Sequence, residues 1–283
     1  MSTMTESELG HQLLRRLRSN ESEPCVTFVD RRGHDRVISS VGILRRAAGL
    51  AAAIADRFGN GPRPITITEM QGPEALVAVV TCVCAGWAFD VRTVSSIPTA
   101  HDGIVLTGPS TSLAPLQFLD EIELTSVPDA DPTVFDAMAN HTPLLWVAEA
   151  VNDVAQIIIR SHMDSESVVA SFTGIDSHTG LITSTLAPLL AGSRLVRSDE
   201  SFFLRNPNRW LHLLAEQGVT HAVLPHEALI RLSIEVGERP AFERLTHVIT
   251  GQTDSEEHVR ALFAKAFGSS AYQSIHIVGW NHP

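Results

Sequence analysis

Three short stretches carry most of the information about the fold: Ser171-Phe-Thr-Gly-Ile-Asp-Ser-His-Thr-Gly-Leu-Ile182, Ala187-Pro-Leu-Leu-Ala-Gly192 and Phe203-Leu-Arg-Asn-Pro-Asn-Arg-Trp-Leu211. Apolar residues at 168–172 predict a buried strand, and residues 181–191 predict a helix that ends before Gly192. A second strand at 194–196 and a second helix at 208–217 follow. Strands that alternate with helices are typical of βαβ units, in which the strands pair in parallel.

The same alternation continues along the chain in both directions. We predict two α/β lobes, residues 1–110 and 143–283, joined by a connection at 111–142 that is rich in Pro, Ser, Thr and Asp. The elements expected in the first lobe are helices at 7–19, 41–58 and 73–85, a hairpin at 26–30 and 36–39, and strands at 64–68, 88–91 and 104–107. The further elements expected in the second lobe are strands at 144–147, 221–224 and 247–250 and helices at 152–162, 227–236 and 255–267.

Composition excludes several classes of protein. The 283 residues are 44% hydrophobic, enough to bury a substantial core. Apolar runs such as 75–85 are too short to cross a bilayer, and the polar, acidic start is unlike a signal peptide, so we expect a soluble cytoplasmic protein. A net charge of −11 disfavours nucleic acid as a partner. Cys25, Cys82 and Cys84 have no neighbouring ligands and are interpreted as small buried hydrophobes.

The three quoted stretches resemble the middle region of the fatty-acyl-AMP ligases, a branch of the adenylate-forming superfamily. Those enzymes carry a run similar to S-W-x-P-x-Y-H-D-M-G-L-I, then a Pro-Leu-x-x-Gly turn, then F-L-R-x-P-x-R-W-L. Segments at 27–30, 72–78 and 85–88 resemble pieces from the start of the same enzymes, in the same order. The resemblance covers most of residues 24–283. It implies two lobes of mainly parallel sheet flanked by helices, equivalent to a truncated N-terminal domain.

The resemblance also locates the adenylation chemistry, and the sequence departs from the family at each place. Residues 144–150 run directly into a predicted helix, without the Ser/Thr/Gly run and lysine that grip ATP phosphates. His282 stands at the position of the magnesium-binding glutamate, and Gly251-Gln-Thr253 replaces an adenine-contacting Gly-Ala-Glu. Lys265, the only lysine, does not match the lysine of the family's C-terminal domain, before which the sequence ends. We therefore expect no acyl-adenylate formation and no cofactor.

The crevice itself keeps polar residues of a different kind. Loops at the carboxyl ends of parallel strands are where such folds bind ligands, and imidazoles suit proton transfer near neutral pH. We assign His178 as a general base, Asp176 as its orienting carboxylate and Ser177 as a lower-ranked nucleophile. The alternative is a loop that keeps only the backbone of the family. No histidine spacing predicts a metal site. The expected substrate-binding residues are Phe172, Gly174, His226, Gly251, Gln252, Trp280 and His282.

Two functional hypotheses follow. In the first, the protein is a repurposed, ATP-independent enzyme that acts by acid–base chemistry on an acyl substrate in a biosynthetic pathway. In the second, it is a non-catalytic protein that binds an acyl group or an acidic acyl carrier protein, docked on a basic patch. Arginines close together in sequence are the candidates for that patch, although a solvated arginine face explains them as well: Arg194, Arg197, Arg205 and Arg209. A truncated second lobe would leave an open sheet edge, which predicts self-association.

Overall fold

The structure is a computed structural model that describes residues 6–19, 23–59, 63–68, 72–92, 96–97, 103–107, 120–123, 127–138, 146–177, 179–235, 237, 239–251, 256–267 and 276–280. The α-helices are α1 (Glu6–Ser19), α2 (Ser40–Phe58), α3 (Pro73–Ala85), α4 (Val134–Met138), α5 (Trp146–Ser161), α6 (Ala187–Ala191), α7 (Glu200–Arg205), α8 (Pro207–Glu216), α9 (His226–Glu235) and α10 (Glu256–Phe267). The strands are β1 (Pro24–Val29), β2 (Asp35–Ser39), β3 (Ile65–Thr68), β4 (Phe89–Arg92), β5 (Ile104–Thr107), β6 (Asp120–Glu123), β7 (Val168–Ser171), β8 (Arg194–Ser198), β9 (His221–Leu224), β10 (His247–Gly251) and β11 (His276–Trp280).

Two sheets organise these elements. One has seven strands in the order β11-β10-β9-β7-β8-β1-β2, and the other has four in the order β4-β3-β5-β6. Pairing is parallel from β11 through to β1 in the larger sheet and throughout the smaller one. The α/β class with mainly parallel sheets flanked by helices is confirmed.

The described residues fall into two compact units, each built from separate stretches of the chain. One unit takes those of Met1–Pro24, Ile38–Ala155 and Gly174–Ile182, and the other takes those of Cys25–Val37, Gln156–Thr173 and Thr183–Pro283. The sequence placed strands β1 and β2 in the first lobe, yet β1 pairs with β8 from Val26↔Leu195 to Val29↔Ser198. This pairing is non-local, and hydrophobic periodicity along the chain does not report it.

Within the first unit, helix α3 packs on strand β3 of the four-stranded sheet, and helix α2 packs on α3. Ser39 caps α2 by accepting a hydrogen bond from the Gly42 amide, and Gly86, with φ +67°, ends α3 in the left-handed conformation that glycine adopts most readily. A Cβ at Gly49 would lie 1.9 Å from the carbonyl oxygen of Pro128, so this glycine lets the 127–130 segment lie directly on α2. The alanine-rich pattern of α2 therefore reflects close packing.

Aromatic side chains fill the core beside the seven-stranded sheet. Phe172 stacks on Phe203 at 4.2 Å between ring centroids, and Trp210 meets both rings edge-on at 5.4 and 5.6 Å. All three side chains are buried, and the Trp210 indole donates to the Ser198 hydroxyl at 3.1 Å. Phe203, Trp210 and Leu211 of the motif thus form the packing face of helices α7 and α8. The other three residues that the motif names, Leu204, Arg205 and Arg209, are exposed.

Several local predictions were wrong. Residues 146–147, expected in a strand, begin helix α5, and the supposed connection at 111–142 contains β6 and α4. The helix expected at 181–191 is a π-helix over Thr179–Leu186 that continues as α6. Helix α7 was not predicted; it begins where the Asp199 carboxylate accepts hydrogen bonds from the Ser201 amide and hydroxyl. Strand β11 was also missed.

Candidate functional site

The carboxyl ends of four neighbouring strands form one edge of the seven-stranded sheet, which we call the carboxyl edge. The pairing register brings the strand ends side by side: Ser171 opposite Val223, Leu224 opposite Thr250, and Gly251 opposite Trp280. Parallel α/β sheets bind ligands at such edges, where the loops that follow the strands converge. The strand ends to which the sequence assigned candidate residues therefore lie side by side, and a ligand site there stays a prediction.

Four side-chain atoms in the strands that end at the carboxyl edge, or in the segments that follow them, are buried and have no hydrogen-bond partner among the described residues. They are Thr173 Oγ1, Thr183 Oγ1, His226 Nδ1 and Thr250 Oγ1, and we call them the orphan set. Thr173 follows β7, His226 follows β9 and begins α9, and Thr250 lies near the end of β10. Thr183 is in the π-helix Thr179–Leu186, which follows β7 in the chain. A buried polar atom without a partner costs about 1–3 kcal/mol. Four such atoms in these segments therefore make the carboxyl edge the candidate site for polar contacts with a ligand.

Arg197 fixes the backbone around two members of the orphan set. Its guanidinium donates to the Thr173 carbonyl at 2.6 Å, to the carbonyl and hydroxyl of Ser184 at 3.0 and 3.1 Å, and to the Thr185 hydroxyl at 2.9 Å. Desolvation lowers the pKa of Arg197 to about 10, so the side chain remains charged at neutral pH. Arg197 therefore joins the segment after β7 to the π-helix, next to Thr173 and Thr183.

The π-helix begins with a turn organised by Ser177. The Ser177 hydroxyl donates to the Gly174 carbonyl at 3.0 Å and accepts from the Gly180 amide at 2.9 Å. A Cβ at Gly180 would lie 1.7 Å from the Gly174 carbonyl oxygen, so the turn closes only around glycine. Because the Ser177 hydrogen is already donated to a carbonyl, the geometry describes a capping residue and offers no activated nucleophile.

Of the predicted acid–base pair, Asp176 and His178, the structure describes only Asp176. Asp176 is exposed, and its carboxylate folds back over Gly174, with Oδ1 2.3 Å from the position that a Gly174 Cβ would take. His178 lies outside the described residues, so the proposed hydrogen bond between His178 and Asp176 stays a prediction. The same holds for the expected contacts of Gln252 and His282, which also lie outside the described part of the chain.

His226 is the predicted substrate-binding residue with the clearest position. It is partly buried as the first residue of α9, and its ring centroid lies 5.9 Å from that of His258 on α10. Phe172, in contrast, packs in the aromatic core against Phe203. Gly251 and Trp280 are the last residues of β10 and β11, and their backbones pair with each other. Sequence reasoning missed Thr173, Thr183 and Thr250; Thr250 could have been found as the hydroxyl that closes the buried run 247–250.

The four arginines proposed as a docking patch separate into distinct roles. Arg194 donates to the side chain and carbonyl of Gln217, just beyond the C-terminus of α8, whereas Arg209 lies near the start of that ten-residue helix. Arg197 is bound internally, and desolvation together with the nearby Arg244 charge lowers the pKa of Arg194. Arg209 is exposed, stacks over Phe202 at 5.5 Å and approaches the Arg32 carbonyl. The structure does not bring the four together, and the exposed members are Arg205 and Arg209.

A separate open groove of about 700 Å³ lies in the first unit, between α1, α2 and the 129–136 segment. Arg18 pairs with Asp136 at 3.0 Å and donates to the Pro132 carbonyl within it. The groove is lined by both basic and acidic side chains, and the contacts of Arg18 with Asp136 and Pro132 lie within the lining itself. The described residues contain no group of three or more His, Cys, Asp or Glu side chains arranged to hold a metal ion. None of the described helices is long and apolar enough to cross a membrane.

Comparison with known proteins shows the fold of the N-terminal part of adenylate-forming enzymes. The chain superimposes on the fatty acid AMP ligase of Legionella pneumophila with a TM-score of 0.76 at 15% identity, covering 94% of this chain and 53% of that one. The adenylation domain of a keto acid-selecting NRPS module, solved with a keto acyl adenylate, gives a TM-score of 0.76 at 12% identity over 100% and 58% of the two chains.

Among curated sequences, a Mycobacterium tuberculosis protein named as the fatty-acid–CoA ligase fadD25 is 21% identical over 279 residues, 80% of this chain and 47% of that protein. An atromentin synthetase of Paxillus involutus, invA2, is 21% identical over 139 residues, 44% of this chain and 15% of that protein. No family model matches the chain. The chain spans about half the length of the ligases it resembles, so the shared property is the fold.

Proposed function

We propose that this protein binds an acyl-bearing ligand at its carboxyl edge and does not form acyl-adenylates. The observation that carries the proposal is the orphan set at the carboxyl edge: Thr173 Oγ1, Thr183 Oγ1, His226 Nδ1 and Thr250 Oγ1. Hydroxyl groups and an imidazole donate to or accept from neutral and anionic oxygens, so they suit the carboxyl, ester or thioester end of an acyl group. Solved proteins of the same fold are named for acyl adenylates, which favours the acyl class over other ligands.

The rest of the edge supports binding of such a ligand without movement of the site. Arg197 holds the Thr173 and Ser184 backbone through charge-assisted hydrogen bonds, and the strands beneath are buried on both faces. A site that is rigid before binding loses less conformational entropy when the ligand arrives. The guanidinium thus acts as a positioning group, and the orphan set supplies the contacts.

The case against adenylation rests on internal features of the sequence. The resemblance places the phosphate-binding loop at 144–150, but helix α5 already begins at Trp146 and continues to Ser161. No lysine occurs between residues 139 and 161, and the only lysine, Lys265, lies in α10. Phosphoryl chemistry depends on backbone amides, a metal and cationic groups that offset the triphosphate charge. The segment 144–150 and Lys265 do not supply this combination of amides, metal ligand and cation.

Two assays test this proposal. A dansylated fatty acid should bind with saturable fluorescence, and His226→Phe should weaken its binding, because the phenyl ring keeps the volume but removes Nδ1. His34→Phe, at an exposed histidine, is the control. ATP–pyrophosphate exchange should stay at background with fatty and aromatic acids. Exchange above background, or equal probe affinity in wild type and His226→Phe, contradicts the proposal.

A second candidate function is acid–base catalysis on the same acyl ligand. It is favoured by the partly buried His226, whose Nδ1 has no partner among the described residues and can take or give a proton. His226→Gln keeps a hydrogen-bonding side chain but cannot act as a general base. Turnover of acyl thioesters or esters that is lost in His226→Gln while probe binding persists would establish catalysis. If the wild-type protein binds the probe but turns over no acyl thioester or ester, the non-catalytic binding function remains.

Docking of an acyl carrier protein is a further part of the proposal. An acidic carrier needs exposed basic groups, and of the four arginines Arg205 is exposed and uninvolved in the hairpin contacts of Arg209. Arg205→Glu should weaken capture of an acylated carrier while leaving the affinity for the free dansylated fatty acid unchanged. Equal capture by wild type and Arg205→Glu would show that this surface is not used.

A further inference from the structure

Two histidines form a stacked pair at the opposite, amino edge of the seven-stranded sheet. His221 begins β9 and His247 begins β10, and the two residues are direct partners in the parallel register. Their rings stack at 4.5 Å between centroids with an interplanar angle of 2°. Both residues are buried, at 3% and 7% exposure. Neither histidine belongs to the carboxyl edge, so the proposed function does not account for the pair.

Each histidine of the pair follows a threonine that contacts its ring. Thr220 Oγ1 lies 2.7 Å from His221 Nδ1 and 3.2 Å from the Val168 carbonyl, and Thr246 Oγ1 lies 2.9 Å from His247 Nδ1 and 3.2 Å from the Thr220 carbonyl. A hydroxyl has one hydrogen, so it donates either to the ring or to the carbonyl. Donation to the ring requires an Nδ1 without a proton. Donation to the carbonyl lets a protonated Nδ1 donate to the hydroxyl oxygen.

The groups around the pair fix the tautomer of one ring. His221 Nε2 lies 2.7 Å from the Ser161 carbonyl, which accepts only, so Nε2 carries a proton and the second proton must be taken at Nδ1. His162, the next residue, has φ +53° and its ring lies 6.0 Å from that of His247. Among the described residues, Asp164 and His162 act electrostatically on His221. On the neighbouring strand, the backbone of His276 pairs with that of His247.

We propose that the Thr220–His221 and Thr246–His247 units form a proton-sensitive latch that holds the end of α5 against the amino edge. With neutral rings, both threonine hydroxyls donate to imidazole and the rings stack without charge repulsion. Two imidazolium ions in a parallel stack 4.5 Å apart repel each other in a buried environment. When both rings are protonated, this repulsion separates them, and the movement of the His221 ring breaks the contact between its Nε2 and the Ser161 carbonyl.

The direction of the pH dependence follows from burial. Desolvation lowers the pKa of His221, and the His162 charge acts in the same direction, while the Ser161 carbonyl and Asp164 oppose them. A histidine whose folded pKa is below its unfolded value stabilises the fold fully above the unfolded value, near 6.5, and this contribution is lost as the pH falls through the folded pKa. The latch is therefore closed at neutral pH and opens in mild acid.

The proposal is tested by the titration of the pair and by local hydrogen exchange. In wild type, the ring C–H signals of His221 and His247 should titrate as a coupled pair in two steps, and amides near Ser161 and His221 should lose protection between about pH 7 and about pH 5. In His247→Phe, which keeps a stacked ring without a titrating group, His221 should titrate in one step and the loss of protection should shrink.

Both the ring titration and the hydrogen-exchange measurement have a control variant. His34→Gln, at a histidine with 74% side-chain exposure, should behave like wild type in both measurements. His247→Gln serves as a second variant in case the phenylalanine variant does not fold, and the wild-type titration is decisive without either. Independent one-step titration of His221 and His247 in wild type, or acid loss of protection that is the same in wild type and His247→Phe, overturns the latch.

Discussion

The guanidinium of Arg197 donates a 2.6 Å hydrogen bond to the carbonyl of Thr173, two residues beyond the end of strand β7. The same group holds Ser184 and Thr185 in the π-helix, so one side chain from β8 connects two segments that border the carboxyl edge. π-Helical turns are rare and occur often at functional sites, where they displace backbone groups from regular pairing. In this protein the irregular turn is stabilised by an arginine that the sequence suggested as a surface residue.

Replacing Arg197 should therefore affect stability more than surface charge. Arg197→Ala removes the donor of four internal hydrogen bonds and should lower the free energy of unfolding by about 3 kcal/mol. Arg197→Lys should recover only part of that loss, because an ammonium cannot reproduce the planar fork. Urea denaturation measures both. Arg205→Ala, at an exposed arginine nearby in sequence, should change stability by less than about 0.5 kcal/mol; an equal loss in the two alanine variants would contradict the assigned roles.

The neighbouring residues Phe203 and Leu204 should respond very differently to truncation. Phe203 is 2% exposed and stacks on Phe172, whereas Leu204 is 44% exposed. Phe203→Ala should cost about 4 kcal/mol through lost burial and a residual cavity, and Leu204→Ala should cost less than about 1 kcal/mol. Thermal unfolding of both variants gives the comparison. Similar costs would show that α7 presents a different face to the core.

Gly180 should not tolerate even a methyl group. The added Cβ would lie 1.7 Å from the Gly174 carbonyl oxygen, which is backbone and cannot rotate away. Gly180→Ala should destabilise the protein by about 3 kcal/mol. Gly237→Ala is the matched control, because nothing lies within 4 Å of its Cβ position. A stable Gly180→Ala variant would show that the turn before the π-helix has another conformation.

Ser177 offers a test that separates capping from nucleophilic catalysis. Ser177→Ala removes a hydroxyl that bridges the Gly174 carbonyl and the Gly180 amide, and should cost about 1 kcal/mol. Ser177→Thr keeps the hydroxyl and should restore most of that stability. If acyl turnover is found, it should survive in Ser177→Ala at the wild-type rate under conditions where the variant is folded. Complete loss of turnover in a folded Ser177→Ala would instead support the nucleophile hypothesis.

Local sequence patterns predicted many of the helices and strands. Strand pairing between residues distant in the sequence could not be predicted from such patterns. Strand β9 was predicted at its exact bounds, because its residues, 221–224, form a short apolar run between turns. The hairpin neighbour of strand β1, β2, was predicted correctly. The other partner of β1, β8, was missed, since that pairing joins residues about 170 positions apart and leaves no periodic signal. The strand expected at 144–147 failed because Trp146 and Val147 belong to the amphipathic period of α5.

The site was predictable by location more than by residue. The rule that ligands bind at carboxyl ends of parallel strands pointed to the edge of the sheet at which His226 lies, and that edge is the candidate site. The three orphan threonines were missed because burial without a hydrogen-bond partner is a property of packing, which a sequence does not show. Arg197 was interpreted as a surface arginine for a related reason. Only the fold shows that its guanidinium donates to the backbone carbonyls of Ser184 and Thr173.

Thr250→Val tests the central claim most directly, because it keeps the shape of a β-branched side chain and removes only the orphan hydroxyl. If the hydroxyl is held ready for a ligand, the variant should gain about 1 kcal/mol in unfolding free energy without ligand and bind the dansylated fatty acid more weakly than wild type. Thr68→Val is the matched control: its hydroxyl is equally buried but donates to the Leu106 carbonyl at 3.0 Å, so this variant should lose stability and keep probe affinity. A Thr250→Val variant that loses stability, or that binds the probe as tightly as wild type, would contradict the account.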